Sequence, residues 1–361
     1  LTDGLPTAGE QNELKIVANA EQANQAQARV FSFGVGYDVN SRLLDRLSRE
    51  LRGQSVYVRP NESIEAHVAA LYKKIGTPLL TNLNVEFLIE GRDEKASGIT
   101  RVYPNPLTDL FAGEQLVLVG RYRHPGDATQ TFSTEAALVD KSSDDTQGFV
   151  EKIWATRRIG EIIDELDLKG QNQELIHELV ELSKKHGIMT PYTSFLANED
   201  VELADNDGLR RRTLGEVEQL SETAGQSAFE QRQAKQFFKQ IQQAPASSDT
   251  FSNSFRGGGI GGGGAANRAA GLPTSEAEPA VETVRATGRK TFFRKQNRWQ
   301  DSTVTPDQEA QAVRITQFSP EYFELAAAQE GRWSKFLTFD EAVVVNLDGK
   351  TYRIDPPGDA N

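Results

Sequence analysis

Apolar positions in the first 80 residues switch repeatedly between helical and strand periods. The polar, Ala-rich stretch Glu10 to Ala28 carries Leu14, Ile16 and Val17 and predicts an amphipathic helix. Val30 to Gly36 is a short apolar run closed by glycine, the pattern of a buried strand. Asn40 stands where it can cap a helix bearing Leu43, Leu44, Leu47 and Leu51. Gln54 to Val58 predicts another strand. Ser63 to Lys74 predicts a helix with Ile64, Val68 and Leu71 on one face. Strands that alternate with helices imply an α/β fold, a parallel sheet covered on both faces.

The period then changes. Leu83, Val85, Phe87 and Ile89 alternate with polar residues; Leu116 to Tyr122 and Thr131 to Val139 read as further strands. Pro104-Asn105-Pro106 and Pro125-Gly126-Asp127 punctuate them, so residues 81–148 predict a β-rich domain. Residues 149–200 predict a helical hairpin broken at Gly170. Its stripes are Ile153, Trp154, Ile159, Ile162, Ile163, Leu166 and then Leu175, Leu179, Leu182, closed by Gly187. Residues 201–286 lose apolar periodicity and read as a disordered Gly-rich linker, apart from a helix over Ser227 to Gln243. Residues 287–361 predict a small α+β module. Lys290–Arg294 and Asn297–Trp299 form a hairpin, Val313–Phe318 a strand and Pro320–Gln329 a helix. Asp348-Gly349 turns a last hairpin.

Charge narrows the function. Forty basic against 52 acidic residues leave a formal net charge of -12, a poor match for phosphate backbones or anionic lipid. Without cysteine there are no disulfides, zinc thiolates or thiol nucleophile. No run of about 20 apolar residues is long enough to span a bilayer. The chain opens at Leu1 within a patterned segment, so it reads as an N-terminally truncated fragment, and a missing export signal says little.

Catalytic constellations are absent. His67, His124, His177 and His186 lack the i, i+4 spacing of helical zinc sites. No Gly-x-Ser-x-Gly and no supported Ser/His/Asp arrangement occurs. Glu161 with Glu165, and Asp164 with Glu165, read as solvated charge on an exposed helix face, with Arg157 and Arg158 placed for i, i+4 pairing. The Gly257–Gly264 run has no following Lys-Ser/Thr and is no phosphate loop. The basic aromatic stretch Arg289 to Trp299 reads as a hairpin rather than a nucleic-acid surface.

Three segments in order carry a resemblance over about residues 1–200. They are Leu1-Thr2-Asp3-Gly4-Leu5-Pro6-Thr7 with Val30–Tyr37 and Ser55–Val58; Gly76–Leu80 with Val102 to Glu114; and Ile153-Trp154-Ala155 through His186 to Thr190–Phe195. Together they resemble von Willebrand factor A domain proteins of the inter-alpha-trypsin inhibitor heavy-chain kind, which carry a VIT domain ahead of the A domain, in the bacterial type. The resemblance implies that residues 1–80 are the C-terminal part of a doubly wound A domain. It also implies a divalent-cation site at the carboxyl ends of the strands, built from an Asp-x-Ser-x-Ser motif, a Thr and a third-loop Asp. Asp3 matches that third-loop Asp; the Asp-x-Ser-x-Ser motif does not occur in the chain. On its own, Asp3 ahead of Gly4 is also an ordinary turn residue. What the resemblance implies is a non-enzymatic binding or adhesion protein of the cell exterior, periplasm or envelope. It would bind a protein or matrix-like ligand through Mg2+ or a similar cation held in the intact protein. The alternative is a metal-independent envelope scaffold with a degenerate A domain.

Overall fold

A computed structural model describes residues 3–75, 78–80, 83, 85, 87–89, 99–105, 107, 110–111, 115–122, 128–130, 148–241, 283–328 and 332–357. The chain forms two compact units, Leu1–Asn172 with Val217–Ala244, and Gln173–Glu216 with Pro245–Asn361.

The first unit begins with α1 (Glu13–Ala23), started by the Asn12 side chain accepting from the Lys15 amide. β1 (Ser32–Val35), α2 (Ser41–Glu50) and β2 (Ser55–Val58) follow, and β1 pairs with β2 in parallel from Ser32↔Ser55 to Val35↔Val58. This is the β–α–β order that the alternating periods predict. Gly34 is required where it stands, because a Cβ there would lie 2.6 Å from the Tyr57 ring. After α3 (Ile64–Ile75) come short antiparallel pairs. β3 (Pro78–Leu80) joins β6 (Leu110–Phe111), β4 (Phe87–Ile89) joins β8 (Ala128–Gln130), and β5 (Ile99–Tyr103) joins β7 (Val119–Tyr122). The strand expected over 131–139 lies outside the described residues.

α4 (Gly148–Lys169) buries the expected stripe, with Ile159 and Ile162 fully enclosed, and packs on α7 (Gln226–Gln240). The two backbones close up at Gly160, where a Cβ would stand 2.8 Å from the Lys239 amide nitrogen. Trp154 is core, as its place in the stripe predicts, and its indole N–H donates to the Arg101 carbonyl at 3.1 Å.

The second unit holds α5 (Gln173–His186), a 3-10 turn Ser194–Ala197, and α6 (Asn206–Val217), which runs up to the boundary. Its sheet is ordered β12-β14-β13-β11-β10-β9, from β9 (Val284–Thr287), β10 (Lys290–Lys295), β11 (Arg298–Asp301), β12 (Val313–Thr316), β13 (Ala342–Leu347) and β14 (Lys350–Asp355). β10 is buried on both faces. Phe293 packs with Val180, Met189 and Leu196, and Phe292 packs with Trp299, Phe336 and Phe339 beside α9 (Pro320–Ala327). The short α8 (Pro306–Ala310) starts with a capping box between Thr305 and Gln308. Asp348 and Gly349 take φ 48° and 87°, the left-handed pair of a two-residue hairpin turn.

Two expectations change. α4 and α5, expected in one domain, are divided between the two units. α4 turns its stripe to α7 in the first unit, and α5 buries Ile176, Leu179 and Val180 in the second. Within the stretch expected as linker from residue 201, α6 is a helix that the pattern does not predict, whereas α7 answers to the helix expected over Ser227 to Gln243 and encloses Phe229, Arg232 and Phe238. Residues 242–282, with the glycine run, lie outside the described residues.

Candidate functional site

Asp3 lies beside the loop that follows β1. The Asn40 amide donates to the Asp3 carbonyl at 2.8 Å, and the Leu5 amide donates to Asp3 Oδ1 at 2.9 Å. Asn40 is itself fixed three ways. Its Oδ1 accepts from the Leu43 amide and starts α2, while its Nδ2 donates to Glu13 Oε1 at 2.9 Å. Glu13 also pairs with Arg42 and Arg46, and these contacts, working against burial, hold its carboxyl below the usual range. Asp3 is therefore an exposed carboxylate on a braced loop at the carboxyl end of β1, where α/β sheets hold ligands. Val35 and Leu5 leave apolar surface exposed at this end.

The residues here do not complete a cation site. Asp3 offers a hard oxygen, but Oδ1 already takes the Leu5 amide. Among the described residues, no group of three or more His, Cys, Asp or Glu side chains could hold a metal ion. His67 faces Glu62 at 3.5 Å, while Glu65 takes the Ser63 hydroxyl instead.

A second feature lies at the opposite end of the β1–β2 pair. Glu161 and Asp164, expected on a solvated face, are buried. Lys235 of α7 reaches Asp45 of α2 at 2.6 Å, Asp167 of α4 at 2.9 Å and Asp164 at 3.1 Å. Arg232 pairs with Asp167 at 2.8 Å, both fully enclosed. Lys239 meets Asp164 at 2.8 Å and Glu161 at 3.4 Å, and Arg49 also pairs with Asp164. Burial pulls the Lys235 ammonium downward, but the Asp167, Asp45 and Asp164 carboxylates outweigh it and hold the group well above the ordinary lysine range. For Asp164 burial works upward, and Lys235, Lys239 and Arg49 overcome it to drive the carboxyl far below the aspartate range. Glu161 moves the other way, because burial exceeds the pull of Lys239. Tyr57, pushed up by burial and then by Asp45, donates to Asp45 Oδ1 at 2.6 Å.

Arg157 forms no i, i+4 pair with Glu161 among these contacts. Its guanidinium donates to the main-chain carbonyls of Ile241 at 2.8 Å and Tyr103 at 3.0 Å. Arg158 reaches Glu165 at 3.4 Å. Beside the ion-pair cluster a cavity of about 390 Å³ opens between the C-terminal end of α2, α4, α7 and the residues Pro104, Asn105 and Leu107. Sequence periodicity gives no hint of it. The signal that was available is a pair of complementary stripes, Glu161, Asp164 and Asp167 on one helix against Arg232, Lys235 and Lys239 on another.

No protein-family profile matches the chain. It is similar to inter-alpha-trypsin inhibitor heavy chain H2 of Mus musculus, 27% identical over 223 residues, which is 55% of this chain and 23% of that protein. The Homo sapiens H2 chain is 26% identical over 57% of this chain and 24% of its own length. The Homo sapiens H4 chain is 23% identical over 63% and 26% respectively. This chain thus spans about a quarter of the curated relatives it matches. The resemblance carried by its three sequence segments is one these matches support.

Proposed function

We propose, on the premise that this chain is inter-alpha-trypsin inhibitor heavy-chain-like over about 55–63% of its length, that it is part of a non-catalytic binding protein. The carboxyl end of its β1–β2 pair forms part of the ligand face. Asp3 contributes one oxygen to a divalent-cation site of the intact protein, and the ligand is a protein or matrix component of the cell exterior. A cation in such a site offers an open coordination position to a partner's carboxylate. The observation that carries the reading is the Asn40–Asp3 bond. It presents a carboxylate at the strand end that α/β folds use for ligands, where Leu5 and the strand residue Val35 are exposed apolar side chains.

The metal-independent scaffold is favoured by a different observation, the Leu5 amide that already occupies Asp3 Oδ1. Solid-phase binding of the intact protein to immobilised extracellular matrix separates the two. The cation-dependent reading expects retention in Mg2+, loss in chelator and loss in Asp3→Ala. Retention that ignores both chelator and Asp3→Ala supports the scaffold. No helix among the described residues is long and apolar enough to cross a membrane.

A further inference from the structure

The cavity beside the buried ion pairs is built to receive charge. Its lining converges from five separated parts of the chain: α2 and the turn into β2, from which Asp45, Arg49, Arg52 and Gln54 contribute; Leu83; Pro104, Asn105 and Leu107; Glu161 with Asp164; and Lys235, Gln236, Lys239 and Gln240 of α7. At about 390 Å³ it falls in the range of small-molecule pockets, roughly 300–1,000 Å³. The charges divide by depth. The carboxylates are shut away, with side-chain exposures of 4% for Asp164, 8% for Asp45 and 9% for Glu161, and each has a cation beside it. The charged heads that solvent reaches are cationic: Arg49 at 27%, Lys239 at 25%, and the exposed Arg52. Arg49, Arg52, Lys235 and Lys239 give four positive groups in the lining against three carboxylates. Guanidinium forks match the two oxygens of a carboxylate or phosphate. Gln54, Gln236 and Gln240 add neutral hydrogen-bonding groups, and Leu83 and Leu107 an apolar wall.

We infer that this cavity is a binding site for a small organic oxyanion, a carboxylate or phosphoryl compound, gripped by Arg49 and Arg52 of the α2 end and by Lys239 of α7. The ligand joins helices that the ion pairs already hold together, so it stabilises the first unit when it binds. The site is at the far end of the β1–β2 pair from Asp3 and does not depend on the cation reading.

Thermal melts and calorimetry on the 361-residue chain test this, with citrate and inorganic phosphate as probes and chloride at matched ionic strength as the blank. The expected result is a saturable rise in melting temperature with at least one probe. Affinity should fall about tenfold or more in Arg52→Gln, a loss of one charge-assisted fork. Arg52→Lys, which keeps the charge without the fork, should lie between them. Asp3→Ala and Arg314→Gln should bind like the parent chain. Each Arg52 variant is compared with its own ligand-free melt, and any that melts below the parent is read by calorimetry below its transition. A response to citrate alone assigns the pocket to carboxylates, and one to phosphate alone assigns it to phosphoryl groups. The inference is overturned by a response equal in parent and Arg52→Gln, by one that follows ionic strength alone, or by none with either probe.

Discussion

Asn40 and Asp3 are joined through the main chain, amide to carbonyl at 2.8 Å, and this bond sets where the Asp3 carboxylate stands. The Asn40 side chain braces the arrangement by capping α2 and by donating to Glu13. Asn40→Ala keeps the main-chain bond but removes both braces. It should cost about 1 kcal/mol for the lost cap and somewhat more for the Glu13 contact. Urea denaturation of the variant checks the loss. A midpoint equal to the parent's would show that the braces contribute nothing.

Lys235 neutralises three carboxylates that no solvent reaches well. Replacing it with Met strands those charges, and the expected loss is about 3–5 kcal/mol. Lys235→Arg should lose less. The same cluster sets an acid limit. Asp164 is held below the ordinary aspartate value of about 3.9, so the unfolded chain takes up its proton first as pH falls. The stability it contributes is complete above that value and is lost as pH drops through it towards the lower folded value. Melts across the acid range, compared with Asp164→Asn, read this slope directly.

Gly160 allows α4 and α7 to touch backbone to backbone. A methyl group there must displace the Lys239 main chain, and Gly160→Ala should destabilise by about 1–3 kcal/mol despite the better helix propensity of alanine. The proximity of Lys239 to Glu161 and Asp164 should suffer with it. An unchanged or raised melting temperature would contradict the close packing.

Lys295 supplies a test in the second unit. Its ammonium donates to the Leu196 carbonyl at 3.0 Å and to that of Asn198 at 2.5 Å, with no carboxylate among these partners. Burial, only partly offset by Glu199 and Asp200, lowers its pKa to about 8. Between that value and the ordinary one near 10.5 the unfolded chain binds more protons than the folded chain, so this group makes stability rise with pH. The difference in denaturation free energy between the parent and Lys295→Met, followed from pH 7 to pH 10, should carry that slope. A flat difference would refute it.

How far the sequence discloses these features depends on whether the cause is local. The β1–α2–β2 order, the Asn40 cap and the Asp348-Gly349 turn are local, and residue pattern reveals each. The burial of Glu161 and Asp164 is not. Their partners stand on α7, far along the chain, and α7 is so rich in Gln, Lys and Arg that it reads as solvated. Apolar periodicity counts a charged position as outside, and this fails where charge is matched by charge. The division of α4 from α5 is hidden for a similar reason, since two stripes beside a glycine suggest a hairpin until each stripe is seen against its own partner. Asp3 alone reads as a turn residue, and its proposed role comes from resemblance and from where Asn40 holds it.

The most direct test of the binding account is calorimetric titration of Mg2+ and Mn2+ into the intact protein, with and without Asp3→Ala. The account predicts saturable binding that the variant loses while its fold is unchanged. Binding that survives Asp3→Ala, or none in the parent protein, would contradict it.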